Sequence, residues 1–410
     1  MSSKYGRSQP PNISPRPRAG ERLAELNELE VEIEKLITGG DGLARFEGIP
    51  IFVPRTAPGD RLRIRIVERK PDFGRGEIVE ILAPGPGRRE PPCQYFGSCG
   101  GCDLQHLEDE LQVDLKVEAL LETLRRLCGV AVLPEFEVVK GPFWAYRCRT
   151  QLHTAVESER IAVGYRGRRS HNLVAIESCP VLVPELERVL PGLGTSLQDE
   201  APRRIDLLVG DAEVLTTAPM TANLPHGPVK ISVGELSYEL DARCFFQAHR
   251  QLLPALVKAV VDEWRGELAV DLYAGVGLFS LLLAESHGRV IAVEGDRIAA
   301  RFARQNANHN RLRNLEVIST AVESWIGKLP ANVDRVVVDP PRAGLSYRVR
   351  QVLLAKAPRR ITYVSCHAAA LARDLKVFLR AYKIERMTVL DLFPQTGHIE
   401  VVLQLASSRV

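Results

Sequence analysis

The C-terminal part of the chain alternates short apolar segments with segments of helical spacing, and this pattern restricts the possible folds most strongly. From "HRQLLPALVKAVVDEW" onward, strand-like stretches such as "LAVDL", "VIAVE" and "RVVVD" are each followed by a helix-like or turn-rich stretch. Strands that alternate with helices indicate a mostly parallel sheet. We therefore predict an α/β domain over residues 246–410.

The N-terminal part of the chain has a different pattern. Residues 29–82 contain several short strand-like runs separated by turn signals such as "GGDG" and "APGD". Several short strands in such a length predict a small β-barrel, which we assign to residues 23–85. In the run "RLRIRIVERK", the side chains of Arg61, Arg63 and Arg65 are expected on the outer face, because side chains along a strand alternate with a period of two.

Two further segments complete the division of the chain. Residues 1–22 are polar, basic and rich in proline, and this composition predicts a disordered tail. Residues 86–245 are predicted to form a β-rich central domain with an amphipathic helix from about Leu104 to Leu127. The central segment also concentrates positive charge, which favours contact with phosphates. Between positions 140 and 169 the basic residues are Lys140, Arg147, Arg149, Arg160, Arg166, Arg168 and Arg169, against the acids Glu157 and Glu159.

A glycine turn follows the first predicted strand of the α/β domain. In "LAVDLYAGVGLFSLLLAE", Gly275 and Gly277 lie between the strand and a helix, and glycine lets a backbone approach a ligand closely. About twenty residues later a second strand ends in Glu294, where a carboxylate can accept hydrogen bonds from both hydroxyls of a ribose. Together with Asp271 and Tyr273, this spacing favours S-adenosylmethionine over a dinucleotide.

Three further reactive side chains are predicted at the same edge of the sheet. Asp339 ends the strand "RVVVD", and Cys366 ends the strand "ITYVSC". The last two strands are joined by a short turn and must be antiparallel, so Glu400, near the start of the final strand, returns to that edge. Ligands of open α/β sheets bind at the carboxyl ends of the strands. A lone cysteine is most often an inert core thiol, but one that opens onto a helix beside a ligand site can be a nucleophile of lowered pKa.

Several stretches spread over most of the chain match one known family. They are "CQYFGSCGGCDLQHL", "RCFFQ", "DLYAGVGLFSL", "VVVDPPRAGL", "YVSCHAAALARD" and "DLFPQTGHIE". On these motifs the chain resembles the RNA uracil-5-methyltransferases, in the branch with an N-terminal TRAM domain and an iron–sulfur cluster. The resemblance implies a Rossmann-like S-adenosylmethionine methyltransferase domain, with Cys366 as nucleophile and Glu400 as general base. It also implies that the cofactor contacts are Gln247, Tyr273, Gly275, Glu294 and Asp339.

The sequence departs from the family pattern at a few positions near these motifs. His367 and Ala368 stand where the family commonly has Asn-Pro, His249 stands where it often has Asn, and Leu278 replaces a polar residue. These differences affect the details of base and cofactor binding rather than the type of reaction. His398, close to Glu400, is expected to orient the site.

The chemistry of carbon 5 of uracil explains why the family needs a thiol and a base. Carbon 5 is a poor nucleophile, and addition of a thiolate at carbon 6 creates an enolate that can attack a methyl group. A general base must then remove the carbon-5 proton. The target base has to be single-stranded or flipped out of a helix. The expected product is 5-methyluridine, with 23S ribosomal RNA favoured by the TRAM barrel and transfer RNA left open.

Two other classes of function are compatible with parts of the sequence. A catalytically silent RNA-binding or chaperone protein could use the barrel and the basic surface, although the intact Cys366 and Glu400 argue against it. A DNA cytosine-5 methyltransferase shares the thiolate chemistry, but that class usually places its cysteine after a proline, where this chain has Ser365.

A second group of cysteines suggests a metal centre. Cys93, Cys99 and Cys102 have the spacing C-x5-C-x2-C, and Cys179 follows later in "IESCPVL". Four thiolates suit either zinc or an iron–sulfur cluster, and the spacing alone does not distinguish them. The family resemblance favours [4Fe-4S]. The remaining cysteines, Cys128, Cys148 and Cys244, are expected in the core.

The composition limits the setting in which the protein works. The chain has 410 residues with 45% hydrophobic and 26% charged residues, values typical of a globular protein. Apolar runs of membrane-spanning length and a secretory signal are both missing from the sequence, so we expect a cytoplasmic protein without a membrane partner. The expected partner is RNA, and the expected oligomeric state is a monomer.

Overall fold

The computed structural model describes residues 23, 27–129, 133–157, 160–197 and 201–408. The predicted disordered tail, residues 1–22, lies outside them. The described chain forms two compact units. The first contains the residues up to Leu36 together with residues 41–86, and the second contains residues 37–40 and everything from Gly87 onward.

The first unit is a six-stranded sheet and confirms the predicted β domain. Its spatial order is β1-β5-β6-β4-β3-β2. Alternation along the long strand β5 buries Leu62, Ile64 and Ile66, as the period of two requires. The strands are β1 (Glu28–Glu32), β2 (Lys35–Leu36), β3 (Asp41–Phe46), β4 (Ile49–Pro54), β5 (Arg61–Arg69) and β6 (Gly74–Ala83).

The outer face of β5 carries the predicted arginines, but two of them already have acidic partners. The guanidinium of Arg63 donates to Glu80 Oε2 over 2.6 Å, and that of Arg65 donates to Glu28 Oε1 over 3.0 Å. Exposed pairs of this kind stabilise a protein only slightly. Their main effect is on charge, because the neighbouring carboxylates offset the positive field that a row of free arginines would create.

The second unit begins with a long helix and a five-stranded antiparallel sheet. The sheet has the order β10-β9-β8-β11-β12, and a separate hairpin, β13–β14, follows it. Its elements are α1 (Asp109–Cys128), β7 (Phe136–Val139), β8 (Arg149–Glu157), β9 (Arg160–Arg166), β10 (Leu173–Ala175), α2 (Pro184–Glu187), α3 (Leu190–Ser196), β11 (Arg204–Val209), β12 (Leu215–Ala218), β13 (Val229–Val233) and β14 (Leu236–Leu240).

Helix α1 begins later than its apolar spacing predicts. The predicted start was near Leu104, whereas the helix starts at Asp109. The backbone N–H of Leu104 instead donates to the carbonyl of Gln395, and Leu107 closes a turn onto Leu104. Both leucines are fully buried. Their apolar spacing therefore reflects burial in a turn rather than a helix.

The rest of the second unit is built on an eight-stranded sheet. Its order is β17-β16-β15-β18-β19-β21-β20-β7, so strand β7 joins this sheet from an earlier part of the chain. The additional elements are α4 (Leu253–Val261), β15 (Gly266–Leu272), α5 (Leu278–Ala284), β16 (His287–Glu294), α6 (Arg297–His309), β17 (Leu315–Ser319), α7 (Val322–Trp325), β18 (Arg335–Val338), α8 (Tyr347–Lys356), β19 (Arg360–Ser365), α9 (Ala368–Phe378), β20 (Tyr382–Leu390) and β21 (Glu400–Ser407).

The direction of the strands confirms the predicted α/β architecture. Strands β15 to β19 pair in parallel, and β21 runs antiparallel to both β19 and β20. The central strand β18 is apolar and fully buried at Val336, Val337 and Val338, as expected for a strand covered on both faces. Strand β15 lies between β16 and β18, so the chain order reverses there. The ligand crevice of such a sheet lies at that reversal, outside the carboxyl ends of the strands.

In the described part of the chain, none of the helices is both long enough and apolar enough to span a membrane.

Candidate active site

The loop after β15 has the backbone of a ligand-binding turn. Tyr273, Gly275 and Gly277 all have positive φ angles, of 65°, 55° and 92°. Apart from Gly275 and its two chain neighbours, no atom of the described residues lies within 4 Å of the position that a Cβ on Gly275 would occupy, so open space faces this residue. The N–H of Gly275 donates to Glu294 Oε2 over 2.7 Å, and the N–H of Asp296 donates to Glu294 Oε1 over 2.6 Å. These two bonds fix the carboxylate at the end of β16.

Three carboxyl groups meet at the carboxyl edge of the sheet. Asp271 is fully buried, and its Oδ2 accepts a hydrogen bond of 2.5 Å from the hydroxyl of Ser280. Burial raises the pKa of Asp271 to about 7, and the nearby charges of Asp339 and Glu294 act in the same direction. Burial likewise raises the pKa of Asp339 to about 7. Such a cluster is electrostatically complementary to a cationic ligand.

The raised pKa of Asp271 predicts how stability depends on pH. A carboxyl with a higher pKa in the folded state binds more protons there, so its contribution to stability falls as pH rises from about 4 to about 7. We expect Asp271→Asn to be more stable than the wild type at pH 8, by up to about 4 kcal/mol for a shift from 3.8 to about 7. The advantage should shrink toward pH 4.

Urea unfolding of the ligand-free protein at pH 5 and pH 8 measures this effect. Asp114→Asn is the matched control, because Asp114 is an exposed carboxyl on α1. An Asp271→Asn protein with the same pH slope as the wild type would show that the folded carboxyl titrates normally.

Sheet register brings Cys366 and Glu400 together. Strands β19 and β21 are antiparallel, and Ser365 pairs with Val401. Continuing this register by one residue places Cys366, just after β19, opposite Glu400, at the start of β21. The two side chains therefore start from neighbouring positions across the two strands. Cys366 is partly buried, whereas Glu400 is only 3% exposed. A thiol and a buried carboxyl thus share the edge that also holds Asp339.

The resting thiol is not activated in the way the sequence suggests. The pKa of Cys366 is raised to about 11, mainly by burial and also by the charges of Glu400 and Asp339, while the guanidinium of Arg342 opposes the shift. Helix α9 begins two residues later, with His367 as its N-cap. Burial, reinforced by Asp339, also raises the pKa of Glu400 well above its ordinary value. The expectation of a lowered cysteine pKa is therefore wrong for the ligand-free protein, because burial beside carboxylates outweighs the helix terminus.

Arg342 and His398 border the same edge. The guanidinium of Arg342 donates to His398 Nε2 over 3.0 Å, and this contact requires an imidazole whose Nε2 carries no proton. Burial lowers the pKa of His398 to about 4, and the charge of Arg342 acts in the same direction. The imidazole is therefore neutral at physiological pH and accepts rather than donates at this atom.

The other predicted cofactor residues come from separate segments. The hydroxyl of Tyr273 donates to Glu323 Oε1 over 2.9 Å, which ties the glycine turn to helix α7. Gln247 is 6% exposed in the segment before α4, and its carbonyl accepts a contact of 3.9 Å from the thiol of Cys148. Its role as a cofactor contact stays a prediction from the resemblance.

The loop that leads into Glu400 is tied to helix α1, a connection that the sequence pattern does not predict. Lys116 Nζ contacts Asp391 Oδ1 at 2.8 Å, with both side chains buried, across 275 residues of sequence. The sequence does contain one indication of this contact: Lys116 lies at helical spacing within an apolar stripe formed by Val113, Leu120 and Leu124. A lysine in such a stripe indicates a buried acidic partner.

The four cysteines predicted as metal ligands line one small cavity. Cys93, Cys99, Cys102 and Cys179 share it with Arg147 and Tyr165 among other residues. Burial raises the pKa of Cys102 to about 12, and the charge of Arg147 opposes this shift. Among the residues that the structure describes, no three histidine, cysteine, aspartate or glutamate side chains are arranged to hold a metal ion.

The predicted basic surface is only partly a surface. Arg149 forms an ion pair with Asp206, with 3.6 Å between Nη2 and Oδ1, and the Arg149 side chain is only 16% exposed. Arg168 pairs with Asp103 at 3.1 Å. Arg147 lies at the cysteine cavity instead of facing solvent freely. These three arginines therefore interact with other residues of the protein rather than forming a free basic surface. A count of charges along the sequence does not show this.

The fold and the acidic crevice define a class of protein. A parallel sheet with a final antiparallel strand, a glycine turn after its first strand and an acid at the end of the second belong to the Rossmann-like S-adenosylmethionine methyltransferases. Comparison of the sequence with known protein families gives the same class. Residues 227–408 match the family described as tRNA (Uracil-5-)-methyltransferase, and residues 25–79 match the TRAM domain.

Relatives in other organisms are similar over nearly the whole chain. The 23S rRNA (uracil(1939)-C(5))-methyltransferase of Pectobacterium atrosepticum is 34% identical, with 94% of this chain and 96% of that protein covered. The corresponding enzyme of an Enterobacter species is 32% identical, with 94% and 99% covered. The structure of Pyrococcus abyssi tRNA (uracil-54, C5)-methyltransferase with S-adenosyl-L-homocysteine superposes with a TM-score of 0.72 at 25% identity, and it covers 92% of this chain and 100% of that one.

The chain belongs to the RNA uracil-5-methyltransferase family. It is an S-adenosylmethionine-dependent enzyme that acts on RNA, as the sequence predicted, with a TRAM domain at its N-terminal end. The alternatives of a silent RNA-binding protein and of a DNA cytosine methyltransferase are thereby set aside.

Proposed function

We propose that the protein methylates carbon 5 of a uridine in 23S ribosomal RNA, with Cys366 as nucleophile and Glu400 as general base. The observation that carries the proposal is the register of β19 and β21, which starts both side chains from adjacent positions at the ligand edge. The charges of Glu400 and Asp339 also act on the thiol, which supports their proximity.

The proposed reaction uses the two side chains in sequence. The thiolate form of Cys366 bonds to carbon 6 of the uracil through its sulfur, and the electron pair of the C5=C6 bond moves into an enolate. Carbon 5 would then attack the methyl group that the sulfonium of S-adenosylmethionine supplies, and the S–CH3 bond would break to leave the neutral thioether. The carboxylate of Glu400 removes the carbon-5 proton, the C6–S bond breaks, and the C5=C6 bond is restored with release of the thiolate.

The cofactor is proposed to occupy the acidic crevice, contacted by Gln247, Tyr273, Gly275, Glu294 and Asp339. S-adenosylmethionine supplies the methyl group together with a positive charge, which favours the ionised forms of nearby carboxyls. The open space at Gly275 supports close approach of a ligand to the backbone. The fixed carboxylate of Glu294 supports recognition of ribose hydroxyls, since each of its oxygens retains a free lone pair.

The choice of 23S ribosomal RNA is supported by two relatives that carry this activity in their names. A transfer RNA substrate is the second candidate, because the similar Pyrococcus abyssi structure is a tRNA methyltransferase. Mass mapping of 5-methyluridine after reaction of the purified protein with each RNA separates them. Product in transfer RNA alone would reject the ribosomal assignment.

The TRAM domain is proposed to hold the RNA by its phosphates. Replacement of Arg61, Arg63 and Arg65 by alanine should weaken binding and flatten its salt dependence. Three free phosphate contacts would change the log–log slope by about 2, at roughly 0.7 per contact on single strands. We expect a smaller change, because Arg63 and Arg65 have carboxylate partners.

Filter binding over a range of salt concentrations measures this slope. Arg289→Ala is the matched control, since Arg289 is an exposed strand arginine paired with Glu316 outside the TRAM domain. A slope equal to that of the control would show that this face of the domain does not contact RNA.

A [4Fe-4S] cluster is proposed on Cys93, Cys99, Cys102 and Cys179. In the described residues these thiols do not converge on one metal position, but all four line one cavity. Arg147 supplies a positive charge beside them, which suits a cluster of thiolate ligands. Protein purified without oxygen should be brown and contain iron and sulfide. The Cys99→Ser protein should be colourless, and its second unit should be less stable. The Cys128→Ser protein should keep the colour and the stability of the wild type. A colourless wild-type protein with one zinc per chain would show that the metal is wrong.

We also propose that the enzyme works as a monomer in the cytoplasm. None of the eight cysteines is part of a disulfide, which suits a reducing compartment. Sedimentation of the purified protein at micromolar concentration tests the monomer.

A further inference from the structure

The segment between β20 and β21, residues 391–399, is here called the catalytic loop, because it contains His398 and leads directly into Glu400 at the start of β21. It contains no regular secondary structure. A loop that presents a base must be held firmly, since small displacements of a catalytic group are costly. Residues outside the loop, on helix α1 and in the segment after Cys102, provide the contacts that hold it.

Gln395 is the point at which the catalytic loop is fixed. It is fully buried and has a φ angle of 66°, a left-handed backbone that a residue with a Cβ adopts only where its surroundings determine it. Its N–H donates to Gln112 Oε1 over 3.1 Å, and its Oε1 accepts from Gln112 Nε2 over 2.9 Å. Its Nε2 donates to Asp109 Oδ1 over 2.7 Å.

The carbonyl of Gln395 is also engaged, from the cysteine-rich segment. The N–H groups of Asp103 and Leu104 donate to it over 2.8 and 3.0 Å. Both residues directly follow Cys102, so the same short segment carries a proposed cluster ligand and holds the catalytic loop. Every hydrogen-bonding group of Gln395 is thus used by helix α1 or by this segment.

Neighbouring contacts hold the loop on either side of Gln395. Lys116 Nζ donates to Asp391 and to the carbonyl of Phe393, over 2.8 and 3.1 Å. The hydroxyl of Tyr146 donates to the carbonyl of Pro394 over 3.0 Å. The catalytic loop therefore has its anchors in a part of the chain that supplies neither the nucleophile nor the base.

We propose that Gln395, held by Gln112, is a positioning residue that places Glu400 for removal of the carbon-5 proton. The inference rests on the proposed function, in which Glu400 is the base. It adds that the second half of the reaction, proton removal and release of Cys366, depends on helix α1 more than formation of the covalent adduct does. Cys366 lies on β19, outside the loop, so adduct formation should tolerate a shift of the loop.

The test uses full-length Gln112→Ala, which removes the anchor without changing the loop itself, and Gln395→Ala as a second variant. Glu118→Ala is the matched control, because it removes a side chain of the same length from an exposed position of α1. Each protein is given RNA containing either uridine or 5-fluorouridine. The fluorinated base has no carbon-5 proton to lose, so it traps the adduct without needing the base.

On 5-fluorouridine RNA, Gln112→Ala should form the adduct within about threefold of the wild-type rate. On uridine RNA, it should turn over at least tenfold more slowly and accumulate a protein–RNA adduct stable to denaturing electrophoresis. Affinity for S-adenosylmethionine should be unchanged, and Glu118→Ala should behave as the wild type.

Each other outcome has a defined meaning. Unchanged turnover in both variants would overturn the inference. Equal slowing of adduct formation and release, with a lowered melting temperature, would reduce Gln112 and Gln395 to a structural role. Failure of the wild type to form any adduct on 5-fluorouridine RNA would reject the proposed nucleophile instead, independently of the catalytic loop.

Discussion

Replacement of Cys366 by alanine is expected to abolish methyl transfer to RNA while leaving S-adenosylmethionine binding intact. Without the thiol, carbon 5 of the uracil is not activated, and loss of a nucleophile costs on the order of 10⁴-fold or more in rate. The cofactor crevice should survive, because its carboxyls lie on β15, on β16 and directly after β18 rather than on β19. Single-turnover transfer of a labelled methyl group and calorimetric titration of the cofactor measure the two effects.

The control for this experiment is Cys128→Ala. Cys128 is another partly buried thiol, and it donates to the carbonyl of Leu124 at the end of α1. It should retain normal activity. Substantial turnover by Cys366→Ala would remove the covalent mechanism, whatever the state of the cofactor crevice.

Replacement of Glu400 by glutamine is expected to trap the reaction halfway. The amide keeps the shape of the carboxyl but cannot take a proton, so methylation can proceed and the adduct cannot resolve. Loss of a general base typically costs about 10²- to 10⁴-fold in rate. The protein should migrate with bound RNA on a denaturing gel, and the trapped nucleotide should carry one added methyl group.

Glu239→Gln is a suitable comparison, because Glu239 is also a strand glutamate but lies on β14, in a separate sheet from Glu400. It should release its product normally. A Glu400→Gln enzyme that turns over at the wild-type rate without adduct would assign proton removal to another group, and Asp339, whose charge acts on Glu400, is one candidate.

Much of this site could be predicted because it depends on short-range rules. The strand that ends before Gly275, the acid at Glu294 and the thiol at the exit of β19 all follow from strand periodicity and from the common edge of a parallel sheet. The position of Glu400 follows from one further rule, the reversal of direction at a short connection.

The parts that escaped prediction depend on partners distant in sequence. The late start of α1 follows from the capture of Leu104 by Gln395, and the pairing of Lys116 with Asp391 joins the two ends of the second unit. The pKa of Cys366 is set by the combined burial and charge of its neighbours, which a linear sequence does not specify. Strand β7 joins β20 for the same reason, since its short apolar run gives no indication of its partner.

The pairing of β21 sets a limit on how this enzyme can vary over evolution. Successive side chains of a strand point to opposite faces, so a slip of one residue in β21 would turn Glu400 away from Cys366 and bring its neighbour Val401 into its place. Surface loops generally tolerate insertions and deletions. The catalytic loop is an exception, because Gln395 and the start of β21 are both fixed, so residues 396–399 must span a set distance. Relatives that keep the activity should therefore differ in the composition of this segment but hardly in its length.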